Sequence, residues 1–419
     1  MSSQSHNSAS RSLAAEVIAI GSEMLFASRV DSNSLYIARQ LERFGVPLIA
    51  KSVVGDDLQT IKKALALALT RADFIFLTGG LGPTEDDLTR QAVSEQLGLE
   101  LIFHSQVVEG IERRFHRFGR TMPEINKRQG YVLETAKILE NPYGTAPGQH
   151  LQFEGRELFL FPGPPRELQP MLQTYVIPLL DRLGLCAGCQ RYFRVAGLPE
   201  SSLDSLVAPI YRLYPEIRTT ILATPGDIEL FFLADQETPR LAELMEKVSE
   251  VLGENIYATE EITLEVALGR LLKERGATLS VAESCTGGML AEWITRVPGS
   301  SVYFLGGVVA YSNDLKIQLL NVPSQWLQQH GAVSEEVAGA MADGMRRRTR
   351  SSYGISITGV AGPDGGSEAK PVGTVFIGCS SDTRTIAPRF QFAGEREVVR
   401  VLSTRTALNL LRKEILKAK

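Results

Sequence analysis

The amino-acid sequence predicts an α/β protein with an N-terminal doubly wound domain, a small α+β module and a C-terminal α/β domain. Continuous apolar segments that fit buried strands alternate with amphipathic segments that fit helices, an order typical of a mainly parallel sheet covered by helices. The pattern changes near residue 190 and again near 261. A chain of 419 residues also fits several domains of about 100–200 residues each.

The first domain is expected over 15–185. Its elements alternate between strand and helix, in the order 15–21, 32–45, 47–55, 57–72 and 73–80. Ser32 is the candidate cap at the start of the first helix, and Gly45 fits the position after its end. The alternation continues to a helix that ends near Leu180. The polar, serine-rich segment 1–14 is expected to be a disordered tail.

The second and third segments have different patterns. We assign 186–260 to a small α+β module because short strands at 191–198 and 218–234 accompany two helices. We assign 261–419 to a second α/β domain. Its expected elements are helices at 263–276, at 288–297 and from Arg396, and strands at 277–283, 301–312, 353–359, 371–379 and 385–393.

Composition excludes several classes of protein. The net charge of -4 gives no electrostatic footprint for nucleic acid or an anionic membrane, and no segment reaches the ~18 apolar residues of a membrane span. The basic run Arg346–Arg350 is expected to be a solvated helix end. Cys186 and Cys189 have the spacing of a metal or redox pair, but they lack a second pair and are flanked by glycines. We favour a glycine-rich linker in a reducing cytoplasm.

The segment AESCTGG places three candidate nucleophiles, Ser284, Cys285 and Thr286, between a strand and a helix that opens with two glycines. Such a turn displays a side chain at the carboxyl edge of the sheet, where α/β proteins bind ligands. Free N–H groups near Thr286, Gly287 and Gly288 suit a phosphate or the oxyanion of a tetrahedral intermediate. The alternative is a helix start capped by Ser284 or Thr286, with Cys285 buried.

A nucleophilic serine needs a base. Four of the five histidines lie outside this domain, and His330 precedes a glycine at an apparent helix end. The candidate base is Lys316, because burial can lower the pKa of a lysine towards neutrality. Tyr311 and Asn313 lie at the end of the preceding strand. Ser367 and Lys370 also spell a nucleophile motif, SxxK, but their proline- and glycine-rich surroundings indicate a loop.

The first domain carries an acidic, glycine-rich loop, TGGLGPTEDDLT over 78–89. It follows a strand and leads to a helix, so its amides could surround a phosphate. It lacks the residues of a Walker A loop or a dinucleotide fingerprint. Acidic residues beside phosphate-binding amides fit a bridging divalent cation. The alternative is a capping box in which Thr84 and Asp87 begin the helix.

The C-terminal segments AESCTGG, YSNDLK, HGAVSEE, ISITGVAGPDGGSEAKPVGTV and FAGERE resemble the amidase domain of the CinA (competence/damage-inducible protein A) family, over roughly 262–415. The resemblance implies a nicotinamide-nucleotide amidase, which converts nicotinamide mononucleotide and water to nicotinate mononucleotide and ammonia without a cofactor. It implies Ser284 as nucleophile, Lys316 as general base and Tyr311 beside them. The expected substrate contacts are Thr286, Gly287, Gly288, Asn313, Gly359, Gly362 and Arg396.

The N-terminal segments IGSEML, VDSNS, GGLGPTEDDLT, NPYGTAPG and FPGPPREL resemble the molybdopterin-binding-like domain of the same family. The resemblance implies a metal-assisted ADP-ribose pyrophosphatase that yields AMP and ribose 5-phosphate. The expected divalent-metal ligands are Asp86, Asp87 and Glu23. The expected substrate contacts are Gly79, Gly80, Gly82, Thr84, Asp31 and Asn33. One residue departs from the family pattern: Ala27 stands in a loop that usually contains glycine.

Together these features predict a cytoplasmic, bifunctional hydrolase that acts on products of pyridine-nucleotide turnover, as a homodimer. Its partners are expected to be small nucleotides, namely nicotinamide mononucleotide and ADP-ribose, with no direct contact to nucleic acid or membrane. The alternative is a non-catalytic protein associated with competence or DNA damage, whose N-terminal domain only binds a nucleotide or a pterin.

Overall fold

A computed structural model describes residues 13–26, 30–185 and 188–418 of the chain. The chain divides into two compact units, 1–188 and 189–419. Most of the expected tail, together with Ala27 and Cys186, lies outside the described residues. The segment that we assigned to a middle module belongs, from Cys189 onwards, to the same unit as the C-terminal domain.

The N-terminal unit contains eight strands and six α-helices. The strands are β1 (Ala15–Ile20), β2 (Leu48–Val54), β3 (Phe74–Thr78), β4 (Leu101–Phe103), β5 (Tyr131–Leu133), β6 (Lys137–Leu139), β7 (Gly148–Phe153) and β8 (Arg156–Phe161). The helices are α1 (Ser32–Glu42), α2 (Leu58–Arg71), α3 (Thr89–Leu97), α4 (Ser105–Arg117), α5 (Pro165–Met171) and α6 (Ile177–Arg182). These counts refer to the described residues.

Six of these strands form one sheet in the order β2–β1–β3–β8–β7–β6. The first four are parallel to one another. Strand β7 is antiparallel to β8, and β6 is antiparallel to β7. Alternate residues of β1 serve opposite faces: Ile18 packs with residues of α2 and α3, and Val17 packs with residues of α1, α5 and α6. Helices therefore cover both faces, which confirms the predicted doubly wound arrangement.

The start of α1 differs from the prediction. Asp31, not Ser32, caps the helix, because its carboxylate accepts a hydrogen bond from the amide of Ser34 at 3.0 Å. Ser32 is the first helical residue. Gly45 follows the end of the helix with φ +68°, as expected for the residue that reverses the chain there.

The second unit opens with an α+β segment, as predicted. Its elements are β9 (Cys189–Val195), α7 (Glu200–Tyr211), β10 (Arg218–Thr224), β11 (Asp227–Ala234), α8 (Pro239–Leu252) and β12 (Ile256–Ala258). The strand order is β10–β11–β9–β12, and every neighbouring pair is antiparallel. This βαββαβ succession is that of ferredoxin-like modules.

The rest of the second unit is the predicted α/β domain. Its strands are β13 (Leu279–Glu283), β14 (Phe304–Val309), β15 (Tyr353–Gly359), β16 (Thr374–Ser380), β17 (Thr385–Ile386) and β18 (Arg389–Gln391). Its helices are α9 (Leu264–Glu274), α10 (Met289–Thr295), α11 (Asn313–Leu320), α12 (Ser324–His330), α13 (Glu335–Thr349) and α14 (Arg396–Lys417). Strands β14, β13 and β15 are parallel, and β16 is antiparallel to β15. Residues of α9, α10 and α14 pack on one face of the sheet, and residues of α13 on the other.

The basic run at the end of α13 is only partly solvated. Arg347, Arg348 and Arg350 are exposed, as predicted. The prediction is wrong for Arg346, whose guanidinium contacts Asp343, Asp382 and Ser380. Because α13 packs against β16, its inner side chains cannot all reach solvent. The SxxK segment at 367–370 lies outside every helix and strand, as expected.

Candidate active sites

The C-terminal site joins the end of β13 to the first turn of α11. Ser284 follows the last residue of β13, and its amide donates to the main-chain oxygen of Ile357 in β15. Ser312 caps α11 by accepting from the amide of Leu315 at 3.2 Å. This start places Lys316 against the sheet, with its Nζ 3.3 Å from the Oγ of Ser284. The two predicted catalytic side chains are therefore in contact.

The surroundings of Lys316 favour a neutral amine. The side chain is 1% exposed, and this burial lowers its pKa. Its Nζ also contacts the main-chain oxygens of Ala310 at 2.9 Å and Tyr311 at 3.2 Å. A neutral amine has two N–H groups for these two oxygens and one lone pair for the hydroxyl of Ser284. Among the described ion pairs, none joins Lys316 to a carboxylate that would hold it in the charged form.

Of the three adjacent candidates, the geometry favours Ser284 as nucleophile. Burial raises the pKa of the Cys285 thiol to about 11, so the reactive thiolate is scarce at neutral pH. Thr286 is fully buried, and its hydroxyl has no hydrogen-bond partner in the part of the chain that the structure describes. Ser284 is 9% exposed and contacts the amine of Lys316.

The expected row of free amides beside Ser284 is only partly present. The amide of Gly287 donates to the main-chain oxygen of Ser284, and that of Gly288 donates to the carboxylate of Glu283 at 3.0 Å. The expectation of free donors is therefore wrong for these two glycines. Neither Cys285 nor Thr286 donates its amide to a main-chain oxygen or a carboxylate in the described part of the chain. Their amides are the candidate oxyanion donors.

Arg396 connects a predicted substrate residue, Gly362, with a predicted catalytic residue, Tyr311. Its guanidinium donates to the main-chain oxygen of Gly362 at 2.8 Å and to the hydroxyl of Tyr311 at 3.3 Å. The Tyr311 side chain thus contacts Arg396, and only its main-chain oxygen contacts Lys316. Asn313 is exposed at the start of α11. At Gly359 a Cβ would lie 2.7 Å from Val375, so packing between β15 and β16 accounts for this glycine.

Sequence reasoning missed Arg400. This residue follows Arg396 by one turn of α14, and its guanidinium donates to the main-chain oxygen of Thr286 at 2.8 Å. It also pairs with Glu397. The four-residue spacing from Arg396 was a usable signal, since it places both side chains on one face of a helix.

The N-terminal site is a pocket of about 820 Å³ at the carboxyl ends of β1, β3 and β8. This edge is where open α/β sheets bind ligands. The predicted residues that line it are Glu23, Asp31, Asn33, Gly79, Gly80, Gly82, Asp86 and Asp87. Thr84 is not in the lining. Asp56, Gln129 and Glu167 also line the pocket; none of them was predicted as a site residue, although Glu167 lies in the motif FPGPPREL.

The glycine-rich loop of this pocket is held by its own side chains. The carboxylate of Asp87 accepts from the amides of Gly82 at 2.7 Å and Thr84 at 2.8 Å, and from the Thr84 hydroxyl at 2.5 Å. Arg90, whose pKa burial lowers to about 10, donates to the main-chain oxygens of Leu81 and Gly82. The bond from the Thr84 amide to Asp87 that a capping box requires is present, but α3 begins at Thr89, so these two residues do not begin the helix.

The pocket contains oxygen atoms suited to a hard cation. The Oδ2 of Asp31 and the Oδ1 of Asn33 are buried, and neither has a hydrogen-bond partner among the described residues. Unpaired buried oxygens are costly and call for a ligand. No group of three or more acidic, histidine or cysteine side chains with metal-binding geometry occurs in the described ranges. The donor set fits Mg²⁺, which keeps several waters and uses one or two carboxylates with substrate phosphates.

Comparison with known proteins agrees with this architecture. The protein-family model described as "CinA C-terminal domain" matches residues 261–415. A second family model, described as "Probable molybdopterin binding domain", matches residues 16–182. A CinA-like protein of Solibacter usitatus is 46% identical over 407 residues, which is 96% of this chain and 98% of that protein. The chain belongs to the CinA family. A second CinA-like protein, from Koribacter versatilis, is 42% identical over 412 residues, 96% of this chain and all of that protein.

Solved structures with CinA-type descriptions each match a part of the chain. A competence/damage-inducible protein of Agrobacterium tumefaciens is 34% identical and covers 37% of this chain and 98% of its own length, with a TM-score of 0.35. Within the described ranges, every helix is too short or too polar to traverse a lipid bilayer. The homodimer and the cytoplasmic location stay predictions.

Proposed function

We propose that the C-terminal domain of this CinA-family chain is a nicotinamide-nucleotide amidase. The observation that carries the proposal is the 3.3 Å contact between the Oγ of Ser284 and the Nζ of Lys316. It lies at the carboxyl edge of an α/β sheet and is shielded from solvent. A buried amine of lowered pKa is the activating base that a serine nucleophile needs in the absence of histidine.

The reaction runs through an acyl-enzyme. Neutral Lys316 takes the proton of Ser284 as its oxygen attacks the carboxamide carbon of nicotinamide mononucleotide. The C–N bond then breaks, and the leaving nitrogen departs as ammonia with the proton that Lys316 returns. Water, deprotonated by the same amine, attacks the ester and releases nicotinate mononucleotide. The amides of Cys285 and Thr286, which directly follow Ser284, would donate to the oxyanion of each intermediate.

The phosphate end of the substrate calls for cations. Arg396 and Arg400 present two guanidiniums on one face of α14. Each donates to a main-chain oxygen, of Gly362 and Thr286 respectively, while Arg396 also contacts the Tyr311 hydroxyl and Arg400 also pairs with Glu397. A phosphate monoester is a stronger acceptor than a carbonyl and binds a guanidinium through paired hydrogen bonds. Both arginines are therefore assigned to phosphate recognition.

The test is ammonia release from nicotinamide mononucleotide by the wild type and three variants. Ser284→Ala and Lys316→Ala are expected to abolish turnover, whereas Cys285→Ala keeps it. A folded wild type that releases no ammonia would show that the amidase proposal is wrong. Loss of activity only in the cysteine variant would move the nucleophile to Cys285.

For the N-terminal domain we propose metal-assisted hydrolysis of the pyrophosphate of ADP-ribose to AMP and ribose 5-phosphate. The support is the unpaired oxygen of Asp31 in a pocket bordered by the glycine-rich loop. Asp31, Asn33 and Asp86 would hold the cation, which when bound would neutralise charge on the diphosphate. The amides of Gly79, Gly82 and Thr84 already donate to Phe161 and Asp87, so other amides of the loop would bind phosphate oxygens. Glu23 and Asp87 stay predicted ligands, and Asp87 already holds the loop together.

One observation favours a second candidate for this domain. Because the described residues contain no cluster of three metal-binding side chains, the pocket also fits a site that binds a nucleotide or pterin without cleaving it. Titration calorimetry with ADP-ribose, followed by a search for AMP after adding Mg²⁺, separates the two candidates. Heat of binding without AMP would favour the binding module.

A further inference from the structure

Glu283, the last residue of β13, holds the start of the neighbouring helix. Its carboxylate accepts hydrogen bonds from the amides of Gly288 at 3.0 Å, Leu290 at 3.1 Å and Ala291 at 2.8 Å. The residue is 1% exposed. In the described part of the chain, no lysine, arginine or histidine pairs with it. Three amides and the positive end of α10 therefore stabilise this buried carboxylate.

These bonds close the turn that carries the proposed nucleophile. Residues 284–287 lie between the end of β13 and the amides that Glu283 binds. Gly287 and Gly288 have φ of +62° and +98°, a backbone that side chains other than glycine rarely adopt. Glycines also give the turn many alternative conformations, so it needs an anchor on each side. The bond from the amide of Ser284 to Ile357 anchors its start, and Glu283 anchors its end.

We infer that Glu283 is a positioning residue for the amidase: it fixes the turn so that Ser284 meets Lys316 before substrate binds. The inference rests on the proposed amidase function. A residue that served only the stability of α10 would lower the free energy of unfolding and leave the reactivity of Ser284 in the folded protein unchanged. A positioning residue changes that reactivity.

Glu283→Gln is the sharpest variant, because it keeps the shape of the side chain and turns one acceptor oxygen into an NH₂ group that faces amide donors. A displacement of about 1 Å in a reacting group costs on the order of 100-fold in rate. We therefore expect kcat to fall about 10- to 100-fold, with little change in KM. Glu292→Gln is the matched control, since Glu292 lies on the same helix with its carboxylate exposed and paired with Arg296.

The experiment uses the full-length protein and two readouts. The first is steady-state ammonia release from nicotinamide mononucleotide. The second is the rate at which a fluorophosphonate probe labels Ser284, followed by intact mass. Slower turnover and slower labelling in Glu283→Gln, with Glu292→Gln like the wild type and thermal unfolding showing a folded variant, support the inference. Wild-type labelling in folded Glu283→Gln overturns it.

The remaining outcomes distinguish a failure of the proposed function from a failure of the positioning role. A wild type that is labelled but releases no ammonia contradicts the proposed function, while its labelling rate relative to Glu283→Gln still tests the positioning. A wild type that is neither labelled nor active overturns both. If Glu283→Gln does not fold, Glu283→Asp is used instead, because its side chain is one methylene shorter and holds the carboxylate farther from the amides. Labelling of Ser284 at the wild-type rate in this variant overturns the inference.

Discussion

The amine of Lys316 lies 3.3 Å from the hydroxyl of Ser284, although 32 positions separate the two residues in sequence. The contact exists because β13 and β14 are parallel neighbours in the sheet and both elements after them start at the same edge. The main-chain oxygens of Ala310 and Tyr311 complete the surroundings of the amine. The sheet thus brings the proposed base into contact with the proposed nucleophile.

Replacing Lys316 by arginine is expected to abolish amidase activity even though the positive charge is kept. The guanidinium stays protonated and cannot act as a base near neutral pH. Loss of a general base lowers kcat by about 10²- to 10⁴-fold, as measured by ammonia release. Partial recovery of Lys316→Ala by a small primary amine would support the role of the amine. An arginine variant with wild-type kcat would contradict it.

The amidase is expected to gain activity as the pH rises. Only neutral Lys316 accepts the proton of Ser284, and burial lowers its pKa from 10.5. The ratio kcat/KM should therefore rise with pH and level off above an apparent pKa below 10.5. The profile of the free enzyme with nicotinamide mononucleotide measures this value. An apparent pKa at or above that of an exposed lysine would show that the buried amine is not the base.

The same burial predicts a pH-dependent cost in stability. Because the pKa of Lys316 is lower in the folded than in the unfolded chain, the unfolded state binds more protons between those two values, and the free energy of unfolding rises with pH there. Below the pKa that Lys316 has in the folded chain, the loss of stability is fully present. Above pH 10.5 the loss is absent. Lys316→Met should therefore be more stable than the wild type at neutral pH, with a gap that closes near pH 10.5. Urea unfolding at several pH values tests this, and a gap independent of pH would argue against it.

Much of this site could be predicted from sequence, and the failures have physical causes. An apolar strand before a glycine pair located Ser284, and the shortage of histidines left Lys316 as base. The acceptors of the Gly287 and Gly288 amides were not predictable, because they depend on how the chain turns. Asp31 rather than Ser32 caps α1 for a similar reason: several capping residues are adjacent in DSNS, and only the backbone angles decide between them.

Arg396 and Arg400 are expected to recognise the phosphate of the substrate. Replacing either by alanine should raise KM for nicotinamide mononucleotide about 10-fold or more, since a hydrogen bond to a charged group contributes about 1.5–3 kcal/mol. Nicotinamide riboside has no phosphate, so its turnover by the two alanine variants should be close to that of the wild type. Arg348→Ala is a suitable control because Arg348 is exposed at the end of α13. Equal losses with both substrates would assign the arginines to the structure of the turn.

Asp31→Asn is expected to weaken Mg²⁺ binding by the N-terminal domain without affecting the amidase. The change removes the charge of the unpaired Oδ2 but keeps a side chain that caps α1, since asparagine caps helices about as well as aspartate. The Mg²⁺ concentration for half-maximal AMP release from ADP-ribose should rise at least about 10-fold, as expected when Mg²⁺ loses one of its few carboxylate ligands. Asp57→Asn is the matched control, because Asp57 caps α2 in the same unit by accepting from Thr60 and lies outside the pocket lining. An unchanged Mg²⁺ requirement in Asp31→Asn, together with a raised one in Asp87→Asn, would move the cation to the loop carboxylates.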